Sequence, residues 1–208
     1  MNKYIVEFIG TFFLVLTIGC CLVSGSAGAL APLAIGSALM AMVYAGGHVS
    51  GAHYNPAVTL GVWIRGRCPG RDVAPYMIAQ LAGAGLAAMA TRLIVGGAKG
   101  PAMIPAVGPA LAAEFLFTFA LVYVVLNTAT AKGTTGNSFY GLAIGFTVMT
   151  GAFAVGDVSG AAFNPAVAVG AVLLRLIPVS SAWIHLVADF LGGVVAGAIF
   201  NLLNPADR

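Results

Sequence analysis

Long apolar runs, interrupted by glycine, proline or charged residues, make up most of the chain. A helix that crosses a bilayer needs about 20 apolar residues. Six runs have roughly this length, at residues 4–24, 30–47, 73–96, 109–131, 139–156 and 179–203. Two shorter apolar stretches, 56–64 and 165–174, cannot cross and are predicted to be re-entrant or interfacial. The pattern predicts an all-α membrane protein with six transmembrane helices and two half-helices.

The two halves of the chain resemble each other. The 14 residues 48–61 and 157–170 are identical at nine positions, at an offset of 109, and residues 7–16 match 114–123 at an offset of 107. We therefore predict one domain, 1–208, made of two repeats at approximately 1–105 and 106–208. Each repeat holds three full spans, an odd number, so the second enters the membrane from the opposite side. Inverted repeats of this kind place their functional site near the midplane.

Composition excludes several classes of protein. Hydrophobic residues are 60% of the chain, charged residues only 7%, and the mean hydropathy is +1.00, which excludes an ordinary soluble domain. A net charge of +3 is too sparse for a nucleic-acid partner. Cys20, Cys21 and Cys68 have neither a disulfide pattern nor metal-ligand spacing. No nucleophile–base pair or phosphate loop is visible, so we predict no enzyme activity, metal or cofactor.

Lysine and arginine are unevenly divided between the two sides of the predicted bundle. With both termini on one side, that side holds Lys3, Arg65, Arg67, Arg71, Lys132 and Arg208, and the other holds Arg92, Lys99 and Arg175. Because basic residues accumulate in cytoplasmic loops, this distribution predicts that both termini are cytoplasmic.

The two short stretches begin with the same triplet, Asn55-Pro56-Ala57 and Asn164-Pro165-Ala166. Asparagine is a strong helix N-cap and proline is favoured at the first helical position, so each triplet predicts a helix start. In inverted halves these starts meet near the bilayer centre, where two positive dipole ends and two side-chain amides converge. Amide donors there orient a water molecule with its hydrogens outward, and the dipoles repel cations.

These motifs carry a resemblance. The paired Ser-Gly-x-x-x-Asn-Pro-Ala motifs, Ser50 to Ala57 and Ser159 to Ala166, together with Ala79-Gln-Leu-Ala-Gly83, resemble the aquaporin (major intrinsic protein) family over nearly the whole chain. The resemblance implies a right-handed six-span bundle, a homotetramer with one pore per subunit, and passive flow of water or small neutral solutes. It also implies pore-lining carbonyl groups on Gly51, Ala52, His53, Tyr54, Gly160, Ala162 and Phe163.

The chain departs from the family at the narrowest point. Spacing from Asn55 and Asn164 assigns the selectivity filter to Ile35, Ala152, Ala161 and Val167, where the family normally has Arg at the last position. The Asp of typical glycerol channels is also missing, because Ala168 stands there. We expect a wide, apolar constriction that admits ammonia, urea, hydrogen peroxide or small polyols. The alternative is a dry hydrophobic ring that impedes water.

Several polar residues fall inside apolar spans, where they are costly. Glu7 and Glu114 are open to a proton-relay role, but their symmetric positions favour a structural one, holding the backbone that leads into each half-helix. Asp189 occupies the repeat position of Gln80 and is predicted to hydrogen bond between helices or to line a cavity. Of the histidines, His48 and His53 are open to pH sensing or loop support, and His185 is left unassigned.

Two other functional classes stay open from the sequence. A coupled secondary transporter also uses inverted repeats, and a non-conducting scaffold could use the same fold. The expected surroundings are the lipid bilayer of a plasma (inner) membrane. The short chain and minimal loops resemble prokaryotic members, so we expect a prokaryotic source.

Overall fold

The computed structural model describes residues 1–98 and 100–207. This part of the chain forms eight α-helices: α1 (Asn2–Ser24), α2 (Ala31–Ser50), α3 (Pro56–Ile64), α4 (Gly70–Val95), α5 (Val107–Val125), α6 (Tyr140–Ser159), α7 (Pro165–Leu173) and α8 (Ala182–Leu203). A π-helical turn, Leu126–Thr130, extends α5. Three short 3-10 turns, Gly28–Leu30, Lys132–Thr134 and Val179–Ser181, lie in the connections.

Six segments built on α1, α2, α4, α5, α6 and α8 are long and apolar enough to cross a membrane, at 20–26 residues each. Their bounds agree with the predicted spans to within three residues. The main correction is that α2 and α6 continue to Ser50 and Ser159, beyond the predicted ends at 47 and 156. Both helices end where Gly51 and Gly160 adopt φ values of 87° and 90°, a left-handed conformation that terminates helices.

The half-helices α3 and α7 start as their sequence predicts. Asn55 and Asn164 have extended backbones, and each Oδ1 accepts a hydrogen bond from the N–H two residues on, at 2.8 Å and 2.9 Å respectively. Proline follows each asparagine at the first helical position, where no N–H is required. The amide oxygens are therefore committed to capping, which leaves the amide N–H groups for other partners.

Glycines bring the long helices into backbone contact. A Cβ on Gly83 of α4 would lie 2.5 Å from the Phe8 carbonyl oxygen of α1, and one on Gly192 of α8 would lie 2.8 Å from that of Phe115 in α5. Helices α2 and α6 cross at Gly36 and Gly145, where a Cβ on either glycine would lie within 2.7 Å of the other's carbonyl oxygen. Close approach at small residues is the usual basis of helix association in lipid.

An ion cluster lies at the end of the bundle that holds both termini, here the terminal face. The buried Arg65 guanidinium donates to Asp207 Oδ1 at 2.8 Å and to the Thr130 carbonyl at 3.1 Å, and it packs on the Phe200 ring. The Lys132 backbone N–H donates to Asp207 Oδ2 at 2.8 Å. These hydrogen bonds, that of Lys132 above all, lower the pKa of the Asp207 carboxyl.

The other basic residues divide between the two ends. Lys3 pairs with Asp72 at 2.6 Å, close to Arg71, and Arg67 reaches Asp207 at 3.6 Å. At the far end, here the opposite face, Arg92 donates to the Leu173 carbonyl at the end of α7. Lys99 and Arg208, which the sequence analysis assigned to the opposite and terminal sides, lie outside the described residues.

Candidate functional site

The starts of the two half-helices meet in the middle of the bundle and are hydrogen bonded to each other's loops. Asn55 Nδ2 donates to the Phe163 carbonyl at 2.8 Å, and Asn164 Nδ2 donates to the Tyr54 carbonyl at 2.9 Å. Each bond links residues more than 100 positions apart. The two asparagines therefore fix the relative position of the two halves as well as cap their own helices.

One donor on each asparagine is left over. A side-chain amide carries two N–H groups, and only one on each residue is used in the cross-link. Both Asn55 and Asn164 line the central cavity, so the remaining N–H groups can donate to an oxygen inside it. The site offers two adjacent hydrogen-bond donors at the point where two helix N-termini face each other.

The loops that precede the half-helices have an unusual backbone. Ala52 and Tyr54 in the first loop have φ values of 52° and 49°, and Ala161 and Phe163 in the second have 49° and 47°. Residues other than glycine seldom adopt this left-handed conformation, and it persists where surrounding contacts enforce it. Nothing in the sequence pattern reveals this repeated strain.

Glu7 holds the first loop in this conformation through hydrogen bonds. Its carboxylate is fully buried in α1. Oε1 accepts from Ser50 Oγ at 2.7 Å and from the His53 N–H at 2.9 Å. Oε2 accepts from the Tyr54 N–H at 2.6 Å and from Gln80 Nε2 at 2.8 Å. Two backbone donors of the strained loop are therefore satisfied by one side chain.

Glu114 occupies the equivalent place against the second loop. Oε1 accepts from Ser159 Oγ at 2.5 Å and from the Ala162 N–H at 3.0 Å, and Oε2 accepts from the Phe163 N–H at 2.7 Å. The carboxylate is fully buried in α5. Both acids accept hydrogen bonds from backbone N–H groups of the loops they support, which accounts for charged groups in the middle of transmembrane helices.

Aromatic side chains anchor the same loops, a feature that the sequence analysis missed. The Tyr54 ring fills the space beside Gly10 and Gly46, where an added Cβ would overlap it, and its hydroxyl donates to the Met42 carbonyl at 2.9 Å. A Cβ on Gly151 would likewise overlap the Phe163 ring, at 2.5 Å from its nearest atom. The available signal was an aromatic residue directly before each Asn-Pro-Ala triplet.

The remaining polar residues have distinct surroundings. Asp189 Oδ1 accepts from Thr118 Oγ1 at 2.9 Å, so the predicted hydrogen bond between helices is present. His53 is buried beside Thr59, with Nδ1 and Oγ1 3.1 Å apart, whereas His48 is exposed in the last turn of α2. His185 is fully buried in α8.

A cavity of about 520 Å³ passes along the asparagine pair. It is bounded by both loops and by α1, α2, α5, α6 and α8. The four residues assigned to the filter by spacing all line it: Ile35, Ala152, Ala161 and Val167. Among the described residues of its wall there is no Lys or Arg, and the one carboxylate is that of Asp157, exposed on α6.

Most of the loop residues predicted to present carbonyl groups also border the cavity, namely Ala52, His53, Tyr54, Gly160 and Ala162. Gly51 and Phe163 are not part of the described wall. The Phe163 carbonyl is instead the acceptor for Asn55. Ala57 and Ala166 of the two triplets are fully buried, and Pro56 and Pro165 are buried beside them. These four residues form the first turns of the half-helices.

Comparison with known proteins agrees with this geometry. The model of a family described as "Major intrinsic protein" matches residues 1–200. The chain belongs to this family. Aquaporin NIP1-4 of Oryza sativa is 39% identical over 98% of this chain and 77% of its own length, and Aquaporin NIP1-1 of Zea mays is 37% identical over 100% and 77%.

Among solved structures, the aquaglyceroporin from Plasmodium falciparum superimposes with a TM-score of 0.82 over 99% of this chain and 97% of its own. At 22% identity this likeness shows the fold. This major intrinsic protein is accordingly a passive, multi-pass membrane channel for water and small solutes and not an enzyme.

In a channel of this family the electrostatics of the wall decide what passes. Here the half-helices α3 and α7 direct their N-termini and the free amide N–H groups of Asn55 and Asn164 to the same point, which disfavours cations. The four residues that spacing assigns to the filter, Ile35, Ala152, Ala161 and Val167, carry no charge.

Proposed function

We propose that this channel is permissive, passing water together with small uncharged solutes such as urea, ammonia, hydrogen peroxide and small polyols. The observation that carries the proposal is the position of Ile35, Ala152, Ala161 and Val167 on the wall of one cavity. Two of these side chains are single methyl groups, and none donates a hydrogen bond. A constriction of this kind rejects solutes weakly by size and by polarity.

The rest of the path supplies the hydrogen bonds that the ring lacks. Carbonyl groups on the two loops accept hydrogen bonds, and the free N–H groups of Asn55 and Asn164 donate them. A solute that is both donor and acceptor, such as water or urea, can exchange partners along this series. Because the asparagine pair turns the hydrogens of a central water outward, it interrupts a proton relay and carries proton exclusion in the absence of a filter arginine.

Stopped-flow light scattering on proteoliposomes given an inward urea gradient tests the proposal. Initial shrinkage reports water flux, and the re-swelling that follows reports urea entry. We expect both phases to be fast compared with empty liposomes. Fast shrinkage without re-swelling would show that selectivity survives without the arginine. Absence of shrinkage would favour the alternative in which a dry apolar ring impedes water.

The substitution Val167→Arg restores the side chain that the family has at this position. We expect it to reduce urea entry at least tenfold while leaving a measurable water flux, since a guanidinium narrows the ring and adds donors. Val167→Leu adds bulk without charge and is the matched control. Unchanged urea flux in Val167→Arg, with protein correctly inserted, would remove Val167 from the filter.

Finer features of organisation belong to the same proposal. We place the chain in a plasma membrane as a homotetramer, a single domain of two inverted repeats with both termini cytoplasmic. Five basic residues gather at the terminal face, against Arg92 and Arg175 at the opposite face among the described residues, which supports this orientation. The relatives named above are plant proteins, so they give no support to the expected prokaryotic source.

A further inference from the structure

A methionine that the filter assignment by spacing does not include borders the same cavity as the four filter residues. Met103 lies in the connection between α4 and α5, outside the helices and pore loops of the two repeats. It is the one methionine among the described residues of the cavity wall, and its side chain is half-buried. A residue from a connecting segment therefore takes part in the wall of the channel.

The structure holds Met103 beside the second pore loop. Its backbone N–H donates to the Leu176 carbonyl, just after α7, at 2.9 Å. Its Sδ lies 4.0 Å from the point that a Cβ on Gly160 would occupy, and Ile177 Cγ2 lies 3.8 Å from the same point. Gly160 directly precedes Ala161, one of the four filter residues. The thioether is thus placed next to the constriction.

The first pore loop has a different neighbour at the equivalent glycine. A Cβ on Gly51 would lie 3.3 Å from His53 Nε2, an atom of the same loop. At Gly160 the nearest atoms belong to Ile177 and Met103, which come from segments outside the loop. The two ends of the channel are therefore lined differently, and the methionine belongs to the end at the opposite face.

The side chain of Met103 differs in kind from those of the four filter residues. Ile35 and Val167 are branched at Cβ, which restricts their rotamers, and the two alanines carry single methyl groups. Methionine is unbranched, has three rotatable bonds and fills irregular gaps. Met103 is therefore the side chain at this level that can both extend across the opening and move aside.

We propose that Met103 is a fifth residue of the constriction, and that its side chain sets the size of the largest solute that passes. The inference rests on the proposed filter, because that filter places the constriction beside Ala161. The thioether takes up part of an opening that two alanines leave wide. Water and urea pass beside it, whereas a larger solute such as glycerol has to displace it.

The test measures the water, urea and glycerol permeabilities of proteoliposomes by stopped-flow light scattering, each as a ratio to water permeability. Met103→Ala removes the thioether. We expect it to raise glycerol permeability about tenfold, the low end of the discrimination that one methylene group gives in an apolar pocket. Met103→Leu keeps a similar apolar volume and should stay near the wild-type ratios.

A second methionine supplies the matched control. Met89 on α4 is 68% exposed and is not part of the described cavity wall, so Met89→Ala makes the same truncation away from the channel. It should leave all three permeabilities unchanged. A glycerol ratio in Met103→Ala that equals that of wild type or of Met89→Ala overturns the inference.

Oxidation tests the same residue in place. Hydrogen peroxide converts a thioether to a sulfoxide: the O–O bond breaks, one oxygen bonds to sulfur, and the other leaves as water. Because the sulfoxide is larger and polar, we expect glycerol permeability to fall severalfold in the wild type once peptide mass spectrometry shows Met103 oxidised. Met103→Leu retains every other methionine and should not respond. An equal fall in Met103→Leu, or an oxidised Met103 without any fall, contradicts the proposal.

The series of solutes separates this inference from the proposed filter. If the wild type excludes urea and Met103→Ala admits it, the permissive filter is wrong, but Met103 still sets the size limit. If urea passes freely and glycerol permeability is the same in wild type, Met103→Ala and Met103→Leu, the filter proposal stands and the role of Met103 is rejected.

Discussion

In this channel, single buried side chains accept the hydrogen bonds of loop backbone that has no partners in secondary structure. Glu7 accepts four hydrogen bonds, two of them from N–H groups of a loop with left-handed residues. Such a loop has no ladder or helix in which to pair its donors, and unpaired buried donors are costly. The Glu7 carboxylate supplies the hydrogen-bond acceptors that a helix or a sheet would otherwise supply to this loop.

Substitution of this carboxylate tests that account. Glu7→Gln keeps the size but replaces one acceptor oxygen with a donor that faces other donors. We expect the free energy of unfolding to fall by about 3 kcal/mol, in the range of a lost hydrogen bond to a charged group. The readout is the thermal unfolding midpoint in detergent. Thr17→Val, which removes an exposed hydroxyl from the same helix, is the control. Equal midpoints for Glu7→Gln and wild type would contradict the account.

The residues of the site differ in how far they could be predicted. Asn55 and Asn164 were predictable, because helix capping is local and a proline follows each of them. The contacts of Tyr76 with Ser50 and of His185 with Ser159 join residues 26 positions apart, and no periodicity signals them. The aromatic residues before the two triplets were visible in the sequence, but their contacts were not, since their partners include glycines, which have no side chain to suggest a contact.

At the scale of elements, the lengths of the apolar runs and the glycine, proline and charged residues between them predicted all eight helices. Their ends were less certain, because the sequence shows polar residues where the helix still continues: His48 and Asp157 lie inside α2 and α6. Only the left-handed glycines that follow end these helices. How elements pair could not be read from amphipathic faces, since in lipid both the packed and the exposed surfaces of a helix are apolar.

The crossing of α2 and α6 gives a prediction at this scale. A Cβ on Gly36 would lie 2.7 Å from the Gly145 carbonyl oxygen, which is backbone and cannot move aside. We expect Gly36→Ala to destabilise the channel by about 1–3 kcal/mol through overpacking. Gly85→Ala in α4 is the matched control, with no heavy atom within 4 Å of the added methyl group. It should instead gain about 0.5–1 kcal/mol of helix stability.

Both variants are compared with wild type by thermal unfolding in the same detergent. Equal effects at the two glycines would mean that helix propensity, and not the close crossing, decides their cost. The comparison is specific because both residues lie in the interior of long helices and receive the same added atom.

The two halves of the molecule make equivalent contacts with different residues. The last turn of α3 is capped by Asn201 Nδ2, which donates to the Ile64 carbonyl at 2.9 Å. The last turn of α7 is capped by Arg92, 109 positions before Asn201 in the chain. Each half-helix thus ends on a donor from a long helix of the bundle, which offsets the negative end of its dipole. The two contacts share a geometry, but the donor is an uncharged amide at the end of α3 and a charged guanidinium at the end of α7.

At the terminal face, one contact joins three parts of the chain. Asp207 ties the last described residues to Arg65 at the end of α3 and to Lys132 in the connection between α5 and α6. Because its folded pKa is lowered, the carboxylate stabilises the folded state at pH values above the unfolded pKa. That contribution disappears as the pH falls through the folded pKa, which lies below the ordinary value for aspartate.

Asp207→Asn therefore changes how stability depends on pH. We expect the variant to unfold at a lower temperature than wild type at pH 7, because an amide accepts more weakly from Arg65 and Lys132. On acidification the wild type should lose this advantage and the two midpoints should converge, as the carboxyl becomes protonated. Asp157→Asn, a neutralisation at the exposed rim of the cavity, should show no such convergence. Parallel curves for Asp207→Asn and wild type from pH 7 to pH 3 would mean that the ion cluster does not hold the tail to the bundle.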